Sequence, residues 1–232
     1  MKICLDAAHY SKYNQSPVFK SYYESEMTWR LHRMLQAELE LRGYEVIVTR
    51  EKQQVDLAVN DRGLLAKDCD LMISIHSNAS DNSSKNVVHV YRSVSADEEA
   101  ITLAEEFGKS ISKVMNTTYA VRTRESETSP GWDYYGIMKG AKQAGCKFFY
   151  IIEHGYHTNE AQAKWLYEGE NLSQLAVAEA DVIDQWAKGE FKKEESTAVV
   201  NNYISEFQAA SNSDGWMPAL KVDGKFGPKT QE

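Results

Sequence analysis

The chain has 232 residues, of which 42% are hydrophobic and 26% are charged. These values are typical of a globular protein with one large domain or two unequal ones, and they exclude a fibrous or wholly disordered chain. The net charge of −8 and the lack of a dense basic tract disfavour binding to nucleic acid. The longest apolar run, Phe148 to Ile152, is far shorter than the roughly 20 residues that span a bilayer, so we expect no membrane insertion.

Apolar runs and helical patterns alternate along the first 187 residues. The nearly continuous apolar runs, which favour buried strands, lie at residues 3–5, 45–49, 71–75, 87–91 and 148–152. Apolar residues at three- and four-residue steps predict helices over Met27–Leu39, about Ala96–Met115 and Ser173–Trp186, and the Ser-, Gly- and Tyr-rich residues 123–136 are interpreted as a loop. This alternation predicts an α/β domain with a mostly parallel, twisted sheet that is covered by helices on both faces.

The beginning of the chain and its cysteines indicate where it is made. The sequence becomes polar at Asp6 and lacks the apolar stretch of about 7–15 residues that a secretory signal carries. The three cysteines, Cys4, Cys69 and Cys146, stand far apart in mostly apolar surroundings, which predicts reduced core residues. We therefore expect a protein that stays in the cytoplasm until another route releases it to its target.

The composition changes at Lys188. Residues 188–197 are charged and nearly free of large apolar side chains, so they are predicted to be a linker. Residues 198–232 follow, and they are too few to form a core of their own. The predicted organisation is a large domain at 1–187, a linker at 188–197, and a short helical C-terminal segment at 198–232.

Titratable side chains follow three of the predicted strands. His9 and His76 come just after the first and third runs, and Glu153 directly follows the last. The carboxyl ends of parallel strands form one edge of a sheet, where ligands bind, and buried charges there need a partner or a metal ion. A catalytic zinc takes three protein ligands and leaves one position for water. Each histidine is also compatible with a purely structural role.

A third ligand would have to come from an early carboxylate. Glu24 opens the first predicted helix and is well placed for this. An acidic residue at a helix start is equally typical of a partner for the helix dipole, so the residues alone leave both interpretations open.

Five segments carry a family pattern in a fixed order. They are Asp6-Ala7-Ala8-His9, Glu24, residues 43–50 (Gly-Tyr-Glu-Val-Ile-Val-Thr-Arg), residues 74–79 (Ser-Ile-His-Ser-Asn-Ala) and residues 153–159 (Glu-His-Gly-Tyr-His-Thr-Asn). Together they resemble the zinc-dependent N-acetylmuramoyl-L-alanine amidases of the amidase-3 type, which occur in phage endolysins and bacterial autolysins. The resemblance covers about residues 1–187.

The resemblance implies a cofactor, a substrate and a set of site residues. It implies Zn²⁺ held by His9, Glu24 and His76, with Glu153 as the catalytic acid/base. The implied substrate is peptidoglycan, cut at the amide between the lactyl group of N-acetylmuramic acid and L-alanine of the stem peptide. Glu26 is the alternative third ligand, and Glu24 is preferred because its distance from the glycine at residue 43 matches the family pattern.

The resemblance also identifies residues that support the site and positions where this sequence departs from the family pattern. Arg62 and Asn78 correspond to recurrent polar positions that support the site. The family's Gly-His-Gly-Gly around the first ligand is here Ala8-His9-Tyr10-Ser11, which changes the first loop of the cleft. His154 and His157 flank the catalytic element where the family carries apolar or small residues, and we interpret both as surface or packing residues.

The C-terminal segment resembles the first half of a peptidoglycan-binding type 1 domain, by residues 203–210 and 220–230. The alternative for this segment is a flexible tail with a common Asp-Gly turn. The predicted function is that of a phage endolysin that causes host lysis. The alternatives are another zinc amide hydrolase of cell-wall peptides and a wall-binding protein that has lost catalysis.

Overall fold

The computed structural model describes residues 1–191, in which six strands form one sheet in the order β2-β1-β3-β6-β4-β5. The strands are β1 (Lys2–Ala7), β2 (Glu45–Val48), β3 (Leu71–Asn78), β4 (Val87–Arg92), β5 (Thr118–Arg122) and β6 (Phe148–Tyr156). The helices are α1 (Glu24–Leu41), α2 (Val59–Leu64), α3 (Glu98–Val114), α4 (Gly136–Gln143), α5 (Glu160–Tyr167) and α6 (Gly169–Ala187). Most of the predicted linker and all of the predicted C-terminal segment, 198–232, lie outside the described residues.

The predicted sheet is confirmed. Among these six strands the neighbouring pairs are parallel, except that β4 runs antiparallel to β6. The predicted strands and the three predicted helices are present within a few residues of their expected bounds. The sequence did not predict β5, a half-exposed edge strand, or the short helices α2, α4 and α5. Helices of six to eight residues complete too few turns to show a helical period.

The two faces of the sheet are covered by different helices. On one face, α2 and α4 pack over an apolar cluster that contains Cys4, Met72 and Phe149, which are paired neighbours on β1, β3 and β6. All three cysteines are buried free thiols on this side, as predicted. On the other face α6 packs against both α1 and α3, and the ring of Tyr150 of β6 lies tilted against that of Phe107 with centroids 5.8 Å apart.

The α2–α4 contact requires glycine at its centre. A Cβ atom added to Gly63 would lie 2.1 Å from the carbonyl oxygen of Ile137, and one added to Gly140 would lie 2.1 Å from that of Asn60. The two backbones therefore approach as closely as they do only because neither glycine has a side chain. This contact holds the short α2 against one face of the sheet, where Arg62 of α2 reaches Asp6 of β1. Within residues 1–191, no helix combines the length and the apolar character that a membrane span requires.

One core histidine makes the stability of this fold depend on pH. His32 of α1 is 1% exposed and packs on Trp29 with ring centroids 4.5 Å apart. Burial lowers the pKa of His32 to about 4, against about 6.5 in the unfolded chain. As the pH falls below about 6.5, the unfolded chain therefore takes up a proton at this position before the folded chain does, and the fold loses stability down to about pH 4.

We expect the variant His32→Leu to lose less stability on acidification than the wild type. The difference should grow from pH 6.5 to pH 4 and reach about 3 kcal/mol, since one pKa unit corresponds to about 1.4 kcal/mol. Urea unfolding of both proteins at pH 7, 5.5 and 4 measures it. Other buried histidines act equally in both proteins, so two curves of stability against pH that stay parallel would contradict the assignment.

Candidate metal centre and active site

Three side chains converge at the carboxyl edge of the sheet. His9 follows β1, Glu24 is the first residue of α1, and His76 lies near the end of β3. One ligand atom from each lies within 4.8 Å of the others. Glu24 Oε2 is 3.1 Å from His9 Nε2, and Glu24 Oε1 is 3.0 Å from His76 Nδ1. The Glu24 side chain is 2% exposed, whereas the His9 and His76 side chains are 25% and 20% exposed, so the cluster opens to solvent on the imidazole side.

The Glu24 carboxylate is held by hydrogen bonds from two segments, the loop after β1 and the end of β3. The backbone N–H of Ser77 donates to Oε1 at 3.0 Å, and the side-chain amide of Asn14 donates to Oε2 at 2.7 Å. Burial alone would raise the pKa of Glu24, but the hydrogen bonds to His76 and His9 outweigh it and lower the pKa below its usual range. Glu24 is therefore a charged carboxylate between two imidazoles, which is a donor set that suits zinc.

Glu26, the alternative third ligand, lies elsewhere. Its side chain lines a groove formed by the start of α1 and the α5–α6 junction, together with Tyr23, Arg30 and Tyr167. The His–Glu–His cluster contains Glu24 and not Glu26.

The loop after β1 gives His9 its position. His9 has a φ of +59°, in the left-handed region, and its ring stacks on Tyr13 with centroids 4.8 Å apart. Ser11 has a φ of +48°, a conformation that glycine adopts at less cost. The guanidinium of Arg50 donates to the carbonyl oxygens of Ala7 at 2.9 Å and Ala8 at 3.2 Å, which fixes the backbone just before the imidazole.

Glu153 lies beside this cluster. It pairs with His76 across the β3–β6 ladder and with His89 across the β4–β6 ladder. Its Oε2 atom is buried and has no hydrogen-bond partner among residues 1–191. Burial raises the pKa of Glu153 to about 7, the charge of Glu24 adds to the rise, and His76 opposes it. A carboxyl group with this pKa is suited to accept and donate a proton at neutral pH.

Known proteins share this arrangement of elements. Residues 3–185 match the Amidase_3 family of N-acetylmuramoyl-L-alanine amidases. The chain belongs to this family. No protein of curated function matches it.

Several solved structures share the fold of this chain. The catalytic domain of CwlV from Bacillus (Paenibacillus) polymyxa var. colistinus is 19% identical, with a TM-score of 0.67 over 81% of this chain and 98% of that domain. AmiC2 of Nostoc punctiforme is 20% identical, with a TM-score of 0.64 over 81% of this chain and 97% of the other. Cwp6 from Clostridium difficile is 21% identical, with a TM-score of 0.68, over 79% of this chain and 29% of its own.

A buried ion pair lies beneath the site of this amidase. Asp6 is fully buried and accepts hydrogen bonds from Arg62 Nη1 at 3.1 Å, Thr49 Oγ1 at 2.6 Å and Ser74 Oγ at 2.7 Å. Asp6 lies three residues before His9. Through these contacts it joins β1 to β3, to the residue that follows β2, and to α2. Arg62 therefore contacts the strand that leads to the cluster, and it does not contact the cluster itself.

Asn78 lies two residues beyond His76. Its carbonyl oxygen accepts from the backbone N–H of His157 at 2.9 Å, and its side-chain amide is 3.5 Å from His89 Nδ1. Asn78 thus contacts the end of β6 and β4. Asn78 is therefore close to His89, which pairs with Glu153 across the β4–β6 ladder. It does not contact the side chains of His9, Glu24 or His76.

Of the two roles predicted for His154 and His157, surface or packing, the burial of both side chains excludes the surface and supports packing. His154 is fully buried and lies 3.0 Å from Glu179 of α6. His157 is 5% exposed, and its Nδ1 atom is 2.9 Å from the Oγ atom of Ser77. Both are therefore polar residues of the interior.

Sequence reasoning missed Asn14, Ser77 and Glu179. Asn14 and Ser77 are residue types that are common in loops and at strand ends, so their sequence positions carry no signal. Glu179 did carry one, because it occupies the apolar stripe of α6 that runs through Leu172, Leu175 and Val182. An acid in such a stripe indicates a buried partner.

We expect Arg62→Leu to destabilise this amidase by about 3–5 kcal/mol, because it leaves the buried Asp6 carboxylate without its cation. The free energy of unfolding in urea, without added metal, measures the loss. Lys164→Ala is the control, since it breaks the exposed pair with Glu160 and should leave stability unchanged. An Arg62 variant as stable as this control would show that the buried pair does not hold β1 and α2 together.

Proposed function

We propose that this amidase is zinc-dependent and that it hydrolyses the amide between the lactyl group of N-acetylmuramic acid and the L-alanine of the stem peptide. The observation that carries the proposal is the buried Glu24 carboxylate, with one oxygen directed at each of the two part-exposed imidazoles. His9, Glu24 and His76 would hold the ion. Bound there, zinc supplies a water that ionises near pH 7 and polarises the scissile carbonyl group.

The chain's own residues would carry out the proton transfers. Glu153 accepts the proton of the attacking water and donates it to the departing amine of L-alanine. Its raised pKa allows both states near neutral pH. Asn14 and the backbone N–H of Ser77 keep the Glu24 carboxylate oriented, so that its two oxygens stay directed at the two imidazoles.

The two alternative functions are less well supported. A wall-binding protein without catalysis would have no use for a carboxyl group with a buried oxygen that lacks a partner among residues 1–191, since an apolar residue would be more stable at position 153. Another zinc amide hydrolase of cell-wall peptides would use the same four residues. Mass spectrometry of the digested muropeptides separates it from our proposal, because only cleavage at the lactyl amide releases the intact stem peptide from the glycan.

We expect Glu153→Gln to bind zinc with nearly wild-type affinity and to lose turnover by about 10²–10⁴-fold, the usual contribution of a general acid/base. Removal of a residue that only orients a metal ligand typically costs up to roughly 100-fold in metal affinity. Glu24→Gln removes a ligand itself, so we expect it to lose more zinc affinity than this and to lose turnover as well. Chelator competition measures the affinity and the release of stem peptides measures turnover. A chelator should abolish activity in the wild type, and added zinc should restore it.

Glu26→Gln is the matched control, because it removes the same charge two residues away on the same helix. It should keep both zinc affinity and turnover. If Glu26→Gln loses zinc and Glu24→Gln keeps it, the third ligand is assigned wrongly. An active protein after complete removal of divalent metal would contradict zinc dependence.

We also propose that residues 198–232 direct the enzyme to the cell wall, in the role of an endolysin that leaves the cytoplasm during lysis. The support is the sequence resemblance of this segment to half of a peptidoglycan-binding domain. In addition, almost all of the net charge of −8 lies in residues 1–187. A catalytic domain with this charge is repelled by an anionic wall, so an attached binding segment would be needed to hold it there.

We expect a chain that ends at residue 191 to hydrolyse soluble muropeptides at the wild-type rate and to lyse intact cells more slowly. The difference in lysis should shrink at high salt, because salt screens the repulsion. Turbidity loss of whole cells and product release from soluble fragments are the two measurements. Equal lysis of intact cells by both chains at low salt would refute a targeting role for residues 198–232.

A further inference from the structure

A fully buried contact between a histidine and a carboxylate lies on the face of β6 opposite to Glu153. His154 of β6 and Glu179 of α6 are both 0% exposed, with His154 Nε2 3.0 Å from Glu179 Oε1. The other carboxylate oxygen of Glu179 is buried and has no partner within the described part of the chain. Such a pair costs free energy that an apolar pair of similar volume would not, so stability alone does not account for it.

The second nitrogen of His154 contacts the backbone of a candidate metal ligand. His154 Nδ1 lies 3.1 Å from the carbonyl oxygen of His76. A carbonyl oxygen only accepts hydrogen bonds, so Nδ1 is the donor in this contact, and Nε2 faces Glu179. The imidazole is therefore clamped between the α6 carboxylate and the backbone of β3.

This contact lies where the strand ladder is irregular. His76 pairs with Glu153, but the next pair is Asn78 with Tyr156, so β6 contains one extra residue between these two pairs. Gly155 absorbs it with a φ of +74°. A bulge interrupts the regular ladder hydrogen bonds. The imidazole of His154 supplies a donor to the His76 carbonyl at this interruption.

We propose that His154, held by Glu179, is a positioning residue for this site. It is bonded covalently to Glu153 and hydrogen-bonded to the backbone of His76, so one buried imidazole sets the separation of the candidate acid/base from a candidate ligand. The inference rests on the proposed function, because it assigns those two roles to Glu153 and His76. Groups that orient metal ligands from behind typically change metal affinity or activity by about 10- to 100-fold when removed.

The test separates positioning from core stability. Single variants His154→Leu and Glu179→Leu each leave one buried polar partner unpaired, and both should lower the melting temperature. The double variant His154→Leu/Glu179→Leu removes both polar groups and should regain most of that loss. It should still bind zinc about 10-fold more weakly and show a kcat reduced about 10-fold with an unchanged KM for soluble muropeptides, because the His76 carbonyl still lacks its donor.

Two further variants complete the set. Glu179→Gln is the conservative rescue, since its amide can donate to His154 Nε2 while Nδ1 still donates to His76, and zinc affinity and kcat should return close to wild type. His32→Leu, which changes another buried histidine outside the site, should leave zinc affinity and kcat unaltered. Chelator competition, thermal unfolding and steady-state kinetics are measured on all of these proteins as full chains.

The outcomes are distinct. A double variant with wild-type zinc affinity and wild-type kcat would overturn the positioning role and leave the proposed function intact. A double variant that binds zinc weakly while folded as stably as the wild type supports it. A wild-type chain that neither binds zinc nor cleaves muropeptides would overturn the proposed function and, with it, this role.

Discussion

The burial of one carboxylate sets the demands on the rest of the structure. An isolated carboxylate as buried as that of Glu24 costs several kcal/mol, on the order found for buried ions in proteins, unless its oxygens find donors. Those donors come from the loop after β1, through His9 and Asn14, and from the end of β3, through His76 and Ser77. Three chain segments must therefore end at one point, and the parallel pairing of β1 with β3 brings two of them there.

A second buried charge keeps these ends in register. Asp6 is the last charged residue of β1 before His9, and its carboxylate is held by Arg62 from below and by Ser74 from the neighbouring strand. The close α2–α4 packing at Gly63 and Gly140 places Arg62 where it can reach. The ion pair fixes α2 relative to β1, and the hydrogen bond from Ser74 fixes β1 relative to β3. The position of His9 follows from that, because Arg50 holds the intervening backbone at Ala7 and Ala8.

The sequence predicts those features that leave a periodic or a terminal signal. Continuous apolar runs identify the central strands, and His76 and Glu153 are visible because a titratable residue directly ends each run. Glu24 required the family resemblance, since helix-start acids are common. Asn14 gave no signal, because its contacts depend on a loop with left-handed residues at His9, Ser11 and Asn14. The short α2 gave none either, because it is stabilised by packing on α4 and not by an apolar stripe of its own.

The centre of β6 shows why this site cannot be separated from the core beneath it. Successive residues of a strand point to opposite faces, so Glu153 faces the side of Phe149 and Ile151, and His154 faces α6. The one-residue irregularity that follows changes the register of β6 with β3 directly beyond both residues. A movement of α6 would therefore displace Glu179, then His154, and through its hydrogen bond the backbone of His76. All three residues belong to regular helices or strands. The contacts from Glu179 through His154 to the His76 carbonyl therefore join α6 to the strand that carries one of the proposed zinc ligands.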